Sequence, residues 1–312
     1  MKKTIMLTAL AAVVCFIGAC KKEGVYNPSE KISKIYESST YVSQYLDGST
    51  WRDANNESNP KKLSQAWNWD GKKLMSIDSY NSDGNIDADE TVKFEYDGKR
   101  LTKITDNTGK NYATVTYDGS VIEKVEMFYG GISAGTISFT YDGKKVSKIV
   151  YNYINVPDDF KAPRNLQLLN LVNQLLTPSN NEDITAMICK DMAKGAESTT
   201  IAFTWDGNNI SQETYTSGSY TFTNAYTYDN KSNPYKGFVM GYFDGDAVLA
   251  ASKNNVTKVV TTYTEEGRSV TESTEFTYKY DGKWPTERTS SVSNTYDNFR
   301  STSTNTTYFE YM

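Results

Sequence analysis

An aromatic residue followed by Asp-Gly recurs along this chain. It stands at Trp69-Asp70-Gly71, Tyr96-Asp97-Gly98, Tyr117-Asp118-Gly119, Tyr141-Asp142-Gly143, Trp205-Asp206-Gly207 and Tyr280-Asp281-Gly282. Asn takes the third position at Tyr228-Asp229-Asn230 and Tyr296-Asp297-Asn298. Between alternating strands, Asp-Gly signals a type I′ hairpin, whose two central residues need positive φ; Gly adopts it freely, and Asp or Asn better than most. The turn aspartates at 70, 97, 118 and 142 lie 21–27 residues apart, room for about two strands of eight or nine residues with their turns. The chain is thereby committed to a meander of hairpins.

Before each turn the apolar residues alternate: Ile137, Phe139 and Tyr141 on one face, Ser138 and Thr140 on the other. After the turn the outgoing strand reads apolar-Ser/Thr-Lys-Ile/Val, as in Leu101-Thr102-Lys103-Ile104, Val146-Ser147-Lys148-Ile149 and Val256-Thr257-Lys258-Val259; Ile32-Ser33-Lys34-Ile35 has the same form. The three-residue step from Val146 to Ile149 breaks strand parity and predicts a β-bulge, which bends and twists a sheet. A bulge in every repeat curls the sheet towards a barrel or half-barrel. Seven repeats with two large apolar groups each present on the order of 2,000 Å², far beyond the few hundred Å² a soluble protein leaves bare. The sheet must close, be covered, or bind something apolar.

Two segments interrupt the repeat. Residues 157–195 predict a helical insertion, with Leu168, Leu169, Val172, Leu175 and Leu176 along one helical face. It serves either as a cover for the sheet or as a lid over an apolar cavity. The second, Asn233–Asn255, is richer in Gly and holds room for a short helix.

The N-terminus carries Lys2 and Lys3, then an apolar run from Ile5 to Ile17, ending in Ile17-Gly18-Ala19-Cys20. The run is short for a membrane span and reads as a signal peptide. Its end resembles the bacterial lipobox, which implies cleavage before Cys20 and lipidation of that cysteine. Lys21 implies the outer membrane of a diderm bacterium. Cys20-Lys21-Lys22-Glu23 partly matches the surface-export signal of Bacteroidetes-type lipoproteins, and a periplasm-facing location is the alternative. The chain divides into residues 1–19 as signal peptide, 20–30 as tether and 31–312 as one β-repeat domain. Losing Lys2 and Lys3 from 33 basic side chains leaves 31 against 38 acidic ones. With no basic cluster, nucleic acid is excluded as a partner. Cys189 is the only thiol left after lipidation and reads as a small buried hydrophobe.

The turns resemble the YD repeat of Rhs-type proteins. The lipobox, the Tyr-Asp-Gly turns, Asn233-Pro234-Tyr235-Lys236 and Ser252-Lys253-Asn254-Asn255-Val256-Thr257-Lys258 together resemble uncharacterised Bacteroidetes lipoproteins described as having a porin-like β fold. The expected fold is mainly β: an antiparallel meander of YD-type hairpin repeats, curved into a barrel or half-barrel. The resemblance brings no established activity.

The chain contains no histidine, which removes Ser-His and Cys-His nucleophiles and His-based metal sites. The turn aspartates stand at hairpin tips for backbone reasons. A non-enzymatic envelope protein that binds a ligand or serves a structural role is therefore expected, with no cofactor. One loop, Ser79–Glu90, places Asn81, Asp83, Asp87 and Glu90 in an EF-hand-like run, although it serves equally as a turn of the meander. Two ligands suit an aromatic-rich sheet. A glycan would stack on exposed rings, with Trp51, Trp67 and Trp69 the first candidates. An apolar lipid would lie under the helices around Leu169 and Val172. An embedded porin fits less well, since its lipid-facing band requires aliphatic residues.

Overall fold

A computed structural model of the chain describes residues 26–153, 198–218, 220–242, 247–265, 268–296 and 298–312. The segment 157–195, with Leu169, Val172 and Cys189, and the N-terminal segment with Cys20 lie outside the described residues. Among those described are sixteen antiparallel strands. They are β1 (Ile32–Asp47), β2 (Thr50–Asp70), β3 (Lys73–Tyr80), β4 (Ile86–Asp97), β5 (Arg100–Asp106), β6 (Tyr112–Asp118), β7 (Val121–Tyr129) and β8 (Ile132–Asp142). There follow β9 (Lys145–Tyr153), β10 (Ser198–Asp206), β11 (Asn209–Ser217), β12 (Tyr220–Tyr228), β13 (Val256–Glu265), β14 (Arg268–Asp281), β15 (Trp284–Tyr296) and β16 (Phe299–Tyr311). Each pairs with its sequence neighbours, and β1 pairs with β16, so the meander closes into a barrel. Closure disposes of the apolar face and, among the described strands, leaves no edge unpaired.

The expected bulges are present, and they explain the hydroxyl in the repeat. Tyr141 faces Val146 while Thr140 faces Lys148, so Ser147 is the extra residue. Thr102, Ser211 and Thr257 hold the same place in their hairpins, as do Met75, Glu123 and Thr286, and Ser33 at the β1–β16 seam. A bulge leaves local ladder groups unmatched, and a short hydroxyl answers one of them. Ser147 Oγ donates to Thr140 O at 3.1 Å, Thr102 Oγ1 to Glu95 O at 3.2 Å, Ser211 Oγ to Thr204 O at 3.2 Å and Ser33 Oγ to Glu310 O at 3.1 Å.

The recurring spacing of aromatic and turn has a second cause, which lies between hairpins. Tyr96 Oη donates to Leu74 O at 2.8 Å, Tyr117 Oη to Leu101 O at 3.0 Å and Tyr141 Oη to Ile122 O at 2.9 Å. Trp69 Nε1 donates to Ile32 O and Trp205 Nε1 to Val146 O, both at 2.8 Å. Tyr228 reaches Ile210 O, and Tyr278 and Tyr311 reach Val256 O and Pro285 O at 2.7 Å. Each even-numbered strand is thus pinned to the odd strand before it, all the way round. Basic residues add a clasp over the same rings: Lys73 Nζ lies 5.4 Å from the Tyr96 centroid, Arg100 Cζ 5.3 Å from Tyr117 and Lys145 Nζ 5.2 Å from Trp205.

The turn glycines have left-handed backbones, as Gly143 shows at φ +60°. A Cβ built there meets nothing within 4 Å, so only backbone strain opposes a side chain. Gly143→Ala is expected to cost about 1–2 kcal/mol, read as a fall in the urea midpoint at unchanged slope.

The barrel is filled from its Asp-Gly rim. The described residues of Asn233–Asn255, read from sequence as an interruption, fold inward as a plug that includes a 3₁₀ turn (Val239–Tyr242) and a short helix α1 (Ala247–Ala251). Asn233 fixes it, donating from Nδ2 to Leu249 O at 2.8 Å and Ser252 O at 3.0 Å while its Oδ1 accepts Tyr235 N–H at 2.9 Å. Phe238 reaches the walls, with ring centroids 5.1 Å from Trp67 and Tyr26 and 6.4 Å from Phe94.

The outer face is hydroxylated and charged. Thr289 pairs with Thr306 and Ser291 with Thr304 at 3.2 Å, and Ser293 with Thr302 at 2.9 Å. Lys258–Glu275 and Lys279–Glu287 are ion pairs at 2.9 Å. The exposed large apolar residues are scattered, among them Met75, Ile86 and Ile132.

Candidate functional site on the inner wall

Superimposing the repeats by their bulges isolates one position on the outgoing strand, three residues past the post-turn apolar residue. It points inward and carries Ile35, Ile77, Ile104, Val125, Ile149 and Val259, all buried. In the remaining two repeats the same position holds Glu213, after Ile210-Ser211-Gln212, and Arg288, after Pro285-Thr286-Glu287. Both are buried, 3% and 6% exposed. A charge placed where six repeats keep an aliphatic residue carries a desolvation cost, so these two positions form the candidate site.

Glu213 pairs across the sheet with Phe203 and Asn224, which share its inward direction. Its Oε1 accepts from Asn224 Nδ2 at 2.9 Å and from Tyr226 Oη. Asn224 Oδ1 in turn accepts Thr261 Oγ1–H at 2.7 Å. Oε2 is buried and has no hydrogen-bond partner among the described residues. Burial pushes this carboxyl up to about 7, opposed by the bonds from Tyr226 and Asn224. Beside it Tyr215 and Phe222 stack with centroids 4.5 Å apart. A carboxyl with one oxygen held by two donors and the other bare is half of a binding arrangement: ionised it accepts a donor, protonated it offers one.

Arg288 donates from Nη2 to Thr307 Oγ1 at 3.2 Å, and its guanidinium lies 5.6 Å from the Phe276 ring. It faces the plug at Tyr235. Burial raises the Tyr235 hydroxyl well above the ordinary range; Arg288 lowers it and Glu37 raises it further. The Tyr235 hydroxyl is buried without a hydrogen-bond partner among the described residues.

The tryptophans proposed for sugar stacking are used otherwise. Trp67 is 4% exposed, donates from Nε1 to Gln65 Oε1 at 2.9 Å and packs on Phe238, so it offers no free face. Trp69 is half-buried between Tyr26 at 5.6 Å and Lys31 Nζ at 5.2 Å. Trp51 stands at the opposite rim with the Arg300 guanidinium 4.6 Å over its ring. The three do not meet in one platform.

The loop at Ser79–Glu90 is a hairpin turn. Ser79 pairs with Asp87 and Tyr80 with Ile86, and Asn81 Oδ1 accepts the N–H of Asp83 and of Asn85, both at 3.0 Å. That oxygen is spent inside the turn, Asp83 faces solvent, and Asp87 and Glu90 sit on the following strand. Among the described residues no group of three or more His, Cys, Asp or Glu could hold a metal ion.

No protein-family model matches the chain, and no curated protein is similar to it in sequence. Among solved structures it is similar to a porin-like protein from Bacteroides uniformis, at 13% identity and TM-score 0.50, over 92% of this chain and 100% of that one. A porin-like protein from Bacteroides vulgatus is similar at 11% identity and TM-score 0.46, over 91% and 99%. The fold is therefore a porin-like β-barrel.

Proposed function

We propose that this chain is a non-enzymatic lipoprotein of the outer membrane, anchored through Cys20, whose barrel stands in water as a packed body instead of spanning the bilayer. The observation that carries this is the polarity of the wall. A membrane barrel turns an apolar band outward and a polar lining inward. Here Ile35, Ile104, Ile149 and Ile201 point inward at no more than 1% exposure, while Ser, Thr, Lys and Glu cover the outside. A hydroxyl grid facing hydrocarbon would lack partners for its remaining hydrogen bonds. The lipobox then supplies the membrane attachment that the wall does not, as in the YD-repeat lipoproteins the sequence resembles. Ligand binding belongs to the same reading: Tyr215, Phe222, Asn224 and Tyr226 around Glu213 are half-buried and form the stretch of inner wall on which a small ligand would be sought.

Cells expressing the full chain are expected to incorporate labelled palmitate, and Cys20→Ala is expected to abolish the label. The Cys20→Ala protein, cut free of its signal, is expected to remain monodisperse without detergent. Aggregation that only detergent prevents would contradict a water-facing barrel.

A further inference from the structure

The first described residue already belongs to the barrel. Tyr26 is 5% exposed, donates from its hydroxyl to Pro234 O at 2.5 Å, and lies 5.1 Å from the Phe238 ring and 5.6 Å from Trp69. Part of the segment read as a tether is thus docked on the plug at the Asp-Gly rim. Strand β1 begins beside the Asp70-Gly71 tip, where Lys31 Nζ donates to Gly71 O. The C-terminus is at the same rim: Met312 N–H donates to Lys31 O at 2.9 Å. Tyr26 is six residue steps from Cys20, a span of at most about 22 Å. The opposite rim lies a further strand away, about 25 Å for an eleven-residue strand such as β8 tilted as barrels require.

We infer that the Asp-Gly rim rests on phosphate-bearing lipid headgroups, so that the barrel stands on its hairpin tips with the opposite rim outermost. This orientation depends on the anchoring at Cys20 proposed above. A six-residue leash starting from a buried tyrosine holds this rim, and not the far one, at the lipid surface. The chemistry of the tips fits. One or two basic residues follow Asp70, Asp97, Asp142, Asp229 and Asp281 within three positions, so these tips are not anionic although the chain carries an acidic excess. At three of them the second basic residue folds back over a neighbouring aromatic ring, while the first, Lys72, Lys99 or Lys144, is exposed at the tip. Lysines close to an anionic surface are attracted to it, an effect that salt weakens.

Acetylation by a charged, water-soluble amine reagent, read residue by residue by mass spectrometry, tests this on the lipidated chain. Vesicles of phosphatidylethanolamine with a minority of phosphatidylglycerol carry the protein, and the signal-free Cys20→Ala form in solution is the reference. Lys72, Lys99 and Lys144 are expected to react several-fold more slowly on vesicles, with Lys62 and Lys110 near the opposite rim unchanged. Equal rates in the two sets, or protection of Lys62 and Lys110 instead, would overturn the orientation while leaving the anchoring intact. Absence of palmitate on the full chain would defeat the anchoring, and the orientation with it.

Discussion

Phe238→Ala is expected to lower the unfolding free energy by about 3–5 kcal/mol, the range for deleting a buried phenyl ring. Phe238 packs the plug against the wall at β2 and β4 and against the N-terminal segment, meeting Trp67, Phe94 and Tyr26 at centroid distances of 5.1–6.4 Å. The plug cannot collapse to fill the gap, since Asn233 ties its two ends through Leu249 O and Ser252 O. Against a total stability of about 5–15 kcal/mol, such a loss removes a large share of the folded population. Urea unfolding followed by tryptophan emission reads the change, because Trp67 packs on the deleted ring. A loss under about 1 kcal/mol would show that the barrel stands without its plug and that Asn233–Asn255 is an accessory loop.

Glu213→Gln is expected to change how stability depends on pH, with its largest effect above neutrality. The folded carboxyl is raised by burial from 4.5 to about 7. A group that holds its proton more tightly when folded contributes stability that is fully present below its unfolded value of 4.5 and is lost as pH rises through 7. The loss amounts to about 2–4 kcal/mol for this one residue. Gln keeps the oxygen that accepts from Asn224 and Tyr226 and replaces the bare Oε2 with a neutral amide. The wild type minus variant difference should therefore fall steadily between pH 4.5 and pH 8. A difference that stays flat over that interval would mean that Glu213 ionises freely in the folded barrel.

The hairpins were legible because their causes are local. Asp142-Gly143 declares its turn through backbone φ, and the step from Val146 to Ile149 declares its bulge through parity. The bulge hydroxyls also recur in sequence, but their purpose emerges only when Ser147 meets Thr140 O across the turn. Closure was not legible, since no local signal tells β1 that its second neighbour is β16, some 250 residues away. The plug was hidden for a different reason. Asn233-Pro234-Tyr235 has the composition of a loop, and only the enclosed space turns its aromatics into core. Glu213 and Arg288 were legible in principle: aligning the repeats on the bulge puts both in a column of Ile and Val. Reading the strands one at a time, as alternating sets, loses that column. The packing of Trp67 and Trp69 was not legible because an aromatic in a strand looks the same whether it faces a ligand or a neighbouring wall.

The β1–β16 seam has a consequence for the order of assembly. Every other junction joins strands consecutive in the strand order, whereas this one joins β1 to β16. Over much of their length both seam strands are rich in Ser and Thr, in Glu37-Ser38-Ser39-Thr40 and Ser301-Thr302-Ser303-Thr304-Asn305-Thr306-Thr307. Strands polar on both faces define their alignment weakly, but they also keep an unfinished edge from adhering to other chains through apolar side chains. Alignment is left to the two ends, where Ile32 meets Tyr311 and Ile35 meets Phe309 at one rim and Tyr45 meets Phe299 at the other. The two ends therefore work as clasps on a polar zipper: they set its register, and until β16 pairs with β1 the cylinder is an open sheet.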